Sequence, residues 1–235
     1  MRLNKFLARC GLDSRRKCDE IIKKKKISVN GTIITDFSYQ VQKDDVVLYG
    51  DKYLEIEDQS LIYILNKPKG YVCTSNDTHN RLKVIDLINS NLRLFTIGRL
   101  DRDTTGIILI TNDGDIANRL AHPRYNKEKK YYVKSKGRIE NNFLKKIRNG
   151  YILEDGTKVR ATIKLLSHSG NIFEWDIILT EGKNREIKRI FSEFNAKVTL
   201  IHRYSFAGIE LNNIKIGKYK VISKKELQKR ITKIV

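Results

Sequence analysis

The sequence predicts an α+β protein in two parts: a small two-helix and hairpin unit, then a mixed, mainly antiparallel sheet flanked by helices. Residues 1–50 hold two short amphipathic stretches and an Asn-Gly turn. From Leu61 onward, strand-like apolar runs mix with stretches of helical periodicity. The runs are not followed strictly by helices, which argues against a doubly wound parallel sheet. At 235 residues, 40% of them hydrophobic, the chain can bury one ordinary core and a smaller one.

The elements follow in order. Leu3, Phe6, Leu7 and Cys10 share one helical face, and Gly11 reads as the stop signal. Ser14 can cap a second helix whose apolar stripe is Cys18, Ile21 and Ile22. Ile27-Ser28-Val29 and Thr32-Ile33 flank Asn30-Gly31, a strong hairpin signal. A strand over Val46–Tyr49 ends at Gly50. Residues 51–60 are polar and acidic and are read as a linker, which makes 61–235 the second domain. Within it, strands are expected at Leu61–Leu65, Tyr71–Cys73, Leu94–Ile97, Ile107–Ile110, Tyr131–Lys134, Ala161–Leu166 and Phe173–Leu179. Helices are expected around Val84–Ile88, Ile116–Leu120, Phe143–Ile147 and Ile187–Phe194, and the tail from Lys224 is basic and helix-prone.

Charge points to a polyanionic partner. The formal net charge is +20 and the pI about 9.8, which favours nucleic acid first and an anionic membrane second. No run of about 18 apolar residues exists to span a bilayer, and no strongly amphipathic basic helix with exposed aromatics supports a membrane-surface role. The amino terminus lacks an apolar signal core and reads as mature protein. Cys10, Cys18 and Cys73 lack metal-ligand spacing and are expected as reduced thiols in a cytoplasmic protein. Within residues 1–30, ten Lys/Arg face three acids. Lys5 lies off the apolar stripe of the first helix, while Arg15, Arg16 and Lys17 occupy the first turn of the second. Cations are disfavoured there by the helix dipole unless an anion arrives.

The stretches Arg2-Leu3-Asn4-Lys5-Phe6-Leu7, Ser14-Arg15-Arg16-Lys17 and Ile27-Ser28-Val29-Asn30-Gly31 resemble the small RNA-binding domain of ribosomal protein S4 and its relatives. Arg2, Lys5, Arg15, Arg16 and Lys17 are therefore expected to contact RNA. The sequence departs from that family at Lys25, where glycine is usual. Either Lys25 adopts the left-handed conformation at a cost of about 1 kcal/mol, or the turn differs.

A second resemblance covers residues 61 to about 220. Gly98-Arg99-Leu100-Asp101-Arg102-Asp103-Thr104-Thr105-Gly106 and its continuation to Gly114 resemble the signature of the Rsu-family ribosomal-RNA pseudouridine synthases. Asn66-Lys67-Pro68-Lys69-Gly70 and Glu181-Gly182-Lys183-Asn184-Arg185-Glu186-Ile187-Lys188-Arg189 match in the same order. The Asn184-Arg185 pair looks more like the large-subunit RNA enzymes.

The resemblance makes Asp101 the catalytic carboxylate. Its neighbours place it on a loop between two strands, where Asx turns are also common. It could attack the anomeric carbon as a nucleophile or remove a ribose proton as a base. Arg99 shares a face with Asp101 if the stretch is extended, and a guanidinium there can fill the stack that a flipped uridine vacates. Tyr131 matches the family's tyrosine strand and can stack on the base or assist proton removal from carbon 5, with Tyr132 as the alternative register. The resemblance puts a cation at Lys188, paired with the catalytic carboxylate. Arg189 is the runner-up, and Arg185 is expected to contact RNA. No metal-ligand cluster or glycine-rich nucleotide loop appears, so no cofactor is implied. The expectation is a monomeric, cytoplasmic isomerase acting on ribosomal RNA or a ribosomal assembly intermediate. The alternative is a non-catalytic RNA-binding or ribosome-assembly protein.

Overall fold

The computed structural model describes residues 1–57, 59–74 and 77–232. The chain divides into two compact units, one of Met1–Leu61 with Ser90–Leu94 and Asn112–Gly114, the other of the remaining chain.

In the first unit, α1 (Leu3–Arg9) buries Leu3 and Leu7, and Gly11 turns the chain at φ 79°. The hydroxyl of Ser14 accepts a hydrogen bond from the Lys17 N–H and caps α2 (Arg15–Lys23), which buries Cys18 and Ile22. Lys25 takes the left-handed conformation, φ 57°, and the chain enters β1 (Ile27–Val29). β1 pairs antiparallel with β2 (Thr32–Ile33) across Asn30 and Gly31, both at positive φ. This is the geometry a two-residue hairpin loop needs to match strand twist. β3 (Val47–Tyr49) and β4 (Lys52–Tyr53) complete a four-stranded sheet of order β2-β1-β3-β4. Residues 52–54, expected in the linker, therefore belong to this unit. Gly50, φ 58°, makes the β3–β4 turn, and Leu54 enters the small core at 4% exposure. A polar, acidic composition hid the short hairpin.

The larger unit carries β5 (Leu61–Lys67), a 3₁₀ turn at Val84–Leu87, β6 (Phe95–Ile97), β7 (Thr105–Thr111), α3 (Gly114–Ala121), β8 (Lys129–Lys136) and α4 (Asn141–Asn149). Next come a small ribbon, β9 (Tyr151–Ile152) with β10 (Lys158–Val159), then β11 (Thr162–Ser169), β12 (Ile172–Leu179) and α5 (Glu186–Glu193). β13 (Lys197–Phe206), β14 (Ile209–Glu210), β15 (Tyr219–Ser223) and α6 (Lys224–Thr232) follow. The nine-stranded sheet runs β11-β12-β8-β13-β7-β5-β15, with β14 on β13 and β6 on β7. The β13–β7 pair is parallel, while β11–β12, β12–β8, β8–β13 and β7–β5 are antiparallel. The fold is the mixed α+β class the sequence predicts.

Two differences bear on the site. β13, the strand at the centre of the sheet, is absent from the sequence-based strands, because Lys197, Thr199 and His202 interrupt its apolar pattern. Tyr71–Cys73 forms no strand but a single bridge between Val72 and Lys83, since the segment crosses an irregular loop. Against the sheet, Trp175 is fully buried, donates from Nε1 to Ser135 Oγ at 2.8 Å, and meets Phe191 of α5 edge-on at 5.7 Å. That contact seats α5 on the sheet and fixes where its outer face points. Among the described residues, no helix is long and apolar enough to cross a membrane, and all three cysteines are free.

Candidate active site

A cleft in the larger unit is lined by Asp101, Arg99, Tyr131, Arg185 and Lys188, five residues expected at the site from sequence. Asp101 lies on the loop between β6 and β7. Arg99, Leu100 and Asp101 all border the cleft, Leu100 the most buried of the three at 8% exposure. Lys188 Nζ is 3.6 Å from Asp101 Oδ2, with both side chains partly exposed. α5 explains why Lys188 is the partner: Ile187, Ile190 and Phe191 are buried on the sheet, leaving Lys188 off that stripe. Arg189 points elsewhere, to the Asp155 carboxylate and the Thr157 hydroxyl. Tyr131 is 7% exposed and borders the cleft, whereas Tyr132, on the opposite face of β8, lies beneath the Lys134 ammonium.

The Asp101 loop is clamped from behind by a residue that sequence reasoning assigned no role. Lys67 is fully buried, and its ammonium donates to the carbonyls of Pro68 (3.0 Å), Arg102 (3.0 Å) and Thr104 (2.8 Å). All three protons are thereby used. Burial pushes this lysine down to about 8. The Gly70 N–H donates to the Arg102 carbonyl at 2.8 Å, and the Leu100 N–H to Cys73 Sγ at 3.3 Å. The loop is therefore held at both ends, as a preorganised carboxylate requires.

Arg185 is the residue before α5 and adopts the left-handed conformation, φ 49° and ψ 32°. Strain of this kind in a non-glycine residue costs on the order of 1–3 kcal/mol and clusters at functional sites. Among the further polar residues that border the cleft, Lys129, Glu186 and Arg203 were assigned no role from sequence. Burial first, and then neighbouring Arg203, push Lys129 down to about 8. Burial raises the Glu186 carboxyl. The signal for Arg203 was the alternation in Ile201, Arg203 and Ser205, which only makes sense once β13 is recognised.

In the first unit, Arg2, Arg15, Arg16 and Lys17 are exposed and Lys5 is half-buried. The first turn of α2 holds no acid, although Lys17 lies 3.6 Å from Asp13.

This fold, with a carboxylate, a cation and a tyrosine around one cleft, defines a class that comparison identifies. Residues 61–193 match the RNA pseudouridylate synthase family and residues 1–47 the S4 domain. The chain belongs to the RNA pseudouridylate synthase family and is an isomerase. Its relatives include a ribosomal large subunit pseudouridine synthase B of Bacillus subtilis, 35% identical over 97% of this chain and 94% of the relative. An uncharacterized RNA pseudouridine synthase of Borreliella burgdorferi is 36% identical over 94% of this chain and 89% of that protein. A crystal structure of a pseudouridylate synthase superposes with a TM-score of 0.68 at 27% identity, covering 97% of this chain and 99% of the other.

Proposed function

We propose that the chain converts a specific uridine of large-subunit ribosomal RNA to pseudouridine, with Asp101 as the catalytic carboxylate. The observation that carries this reading is the Asp101–Lys188 pair at 3.6 Å in the cleft that Tyr131 also lines. Isomerisation breaks the bond from N1 to the ribose, turns the base and rejoins it through C5. Atoms balance without an external reagent: the ribose–N1 bond is replaced by a ribose–C5 bond, and the C5 proton is exchanged for one on N1. Asp101 serves either as nucleophile at the anomeric carbon or as base at the ribose. Lys188 fixes its orientation and offsets its charge. Tyr131 supports the base through its ring, and its hydroxyl is the candidate group for the C5 proton. Arg99, exposed at the rim, takes the space left by the flipped uridine, and Arg185 binds phosphate.

Residues 1–50 form the docking module in this reading. Arg2, Lys5, Arg15, Arg16 and Lys17 hold RNA phosphates, and the net charge of +20 supplies long-range attraction. The protein acts as a monomer in the cytoplasm, on free ribosomal RNA or an assembly intermediate. The large-subunit assignment is supported by the similarity to the Bacillus subtilis ribosomal large subunit pseudouridine synthase B. The test is to map pseudouridines in ribosomal RNA from a strain lacking the gene and to restore them with the purified protein. Loss of a large-subunit site that the protein restores is expected. Unchanged ribosomal RNA together with salt-sensitive RNA binding would instead mark a non-catalytic RNA-binding protein.

A further inference from the structure

Two buried polar side chains bordering the cleft have atoms that no protein group satisfies. Arg203, 2% exposed, donates from Nε to the Ile107 carbonyl at 2.8 Å and lies 4.8 Å over the Phe206 ring, but its Nη2 has no hydrogen-bond partner. Glu186, 3% exposed, accepts from the Lys183 N–H at Oε2 (2.9 Å), while its Oε1 has none. Leaving a buried charged group unsatisfied is costly, and such groups in native structures call for a partner such as a ligand, an ordered water or an ion, or for a catalytic role. Arg203 also sits directly opposite Tyr131 in the β13–β8 register, so the two side chains are neighbours on one face. Asp101 is about a third exposed and lies at the mouth; Arg203 and Glu186 form the floor.

We propose that this floor reads the polar edge of the uracil ring, Glu186 Oε1 accepting from N3–H and Arg203 Nη2 donating to an adjacent ring carbonyl. The inference rests on the uridine-isomerising reading above. With the ribose at Asp101, ring atoms N1, C6 and C5 face the mouth, so N3 and its two flanking carbonyls face inward. Uracil is nearly symmetric about the line from N3 to C6. The half-turn that exchanges N1 for C5 also exchanges the two carbonyls and returns N3–H to its place. A carboxylate on N3–H and a cation beside it therefore keep both hydrogen bonds in substrate and product alike. The floor supports the base through the turn without favouring either end. Cytosine would bring an amine to the arginine or a bare N3 to the carboxylate, and both contacts would repel. A site built to hydrogen-bond a polar edge rejects the wrong edge strongly, because its own buried groups are left unpaired.

The test uses the full chain and three probes: the 5′-monophosphates of uridine, N3-methyluridine and cytidine. NMR titration of their binding needs no turnover. Conversion of uridine in a ribosomal RNA fragment by the wild type is a separate control for the underlying reading. Uridine monophosphate is expected to bind at least roughly tenfold more tightly than the other two. Glu186→Gln, nearly isosteric, turns an acceptor into a donor facing N3–H and should erase the preference for uridine over cytidine. Arg203→Lys keeps the charge but shortens the reach, and should weaken uridine monophosphate binding; it and the wild-type comparison judge the proposal if Glu186→Gln fails to fold. Equal binding of the three nucleotides by the wild type, or a uridine preference that survives both substitutions, overturns the proposal even where the wild type makes pseudouridine.

Discussion

Gly106 is the point where the catalytic loop enters the sheet, and Gly106→Ala tests how closely that junction is packed. In the parallel β7–β13 pair, Gly106 sits opposite Arg203. A Cβ at this glycine would lie 2.1 Å from the Arg203 carbonyl oxygen, 2.6 Å from its nitrogen and 2.8 Å from its carbonyl carbon. These are backbone atoms, so no side chain can swing aside. Comfortable van der Waals separation is about 3.5 Å, so the strands must part by roughly 1 Å or more. The φ of 106° adds its own penalty, because side chains rarely tolerate it. Backbone strain costs about 1–3 kcal/mol and overpacking about 1–3 kcal/mol. The sum, about 2–6 kcal/mol, is a large fraction of a typical stability of about 5–15 kcal/mol. For a chain of this size it corresponds to a melting temperature lower by about 4–24 °C. Pseudouridine formation should fall as well, since residues 101–104 lead straight into β7. Thermal unfolding by circular dichroism reads the effect. The control is Gly114→Ala at the start of α3, where no atom lies within 4 Å; it should be neutral or stabilising by up to about 1 kcal/mol. If Gly106→Ala melted within about 2 °C of the wild type, the β7–β13 packing described here would be wrong.

Lys188→Met removes the charge 3.6 Å from Asp101 while keeping length. Single-turnover pseudouridine formation should fall about a hundredfold through misplacement of the carboxylate with RNA affinity little changed, Lys188→Arg should partly restore it, and wild-type turnover in Lys188→Met would remove this residue from the site. RNA affinity measured by anisotropy between about 50 and 200 mM salt should fall with a log–log slope of about −4 to −5 if some six phosphates are contacted; an affinity independent of salt would contradict the basic-surface reading. Lys25→Gly relieves a left-handed non-glycine residue at φ 57° and should stabilise the first unit by about 1 kcal/mol in urea unfolding, whereas destabilisation would show that the lysine side chain contributes more than its backbone costs.

Much of this architecture was legible because local chemistry and tertiary structure agree. Ser14, Gly11 and Asn30-Gly31 each act through their own backbone neighbours, and each does in the structure what its residue type predicts. The amphipathic period of Ile187, Ile190 and Phe191 was enough to put Lys188 off the buried stripe, but the choice of Lys188 over Arg189 came from the family resemblance. What stayed hidden depends on partners distant in sequence. Lys67 gains its place only when carbonyls of residues 102 and 104 fold onto it, and nothing local distinguishes it from Lys69. Arg203 lies in a strand whose charged and polar residues break the apolar pattern, yet the central position of that strand buries it. The β4 arm of the β3–β4 hairpin was lost in a polar stretch because its turn is short and, among the described residues of 51–60, only Leu54 is buried in the core.

The central claim, that Asp101 performs the chemistry, is tested most directly by pseudouridine formation on ribosomal RNA with Asp101→Asn. The change is nearly isosteric and removes the negative charge from a partly exposed residue of a loop whose Arg102 and Thr104 carbonyls are held by Lys67 and Gly70. An amide is a poor nucleophile and no useful base, so both mechanisms for the carboxylate fail together. The variant should melt with the wild type, bind the same RNA within a few-fold, and make no detectable pseudouridine. Asp103→Asn, exposed two residues on and 3.6 Å from Arg102, should keep substantial activity. Pseudouridine produced by Asp101→Asn at the wild-type rate would contradict the account.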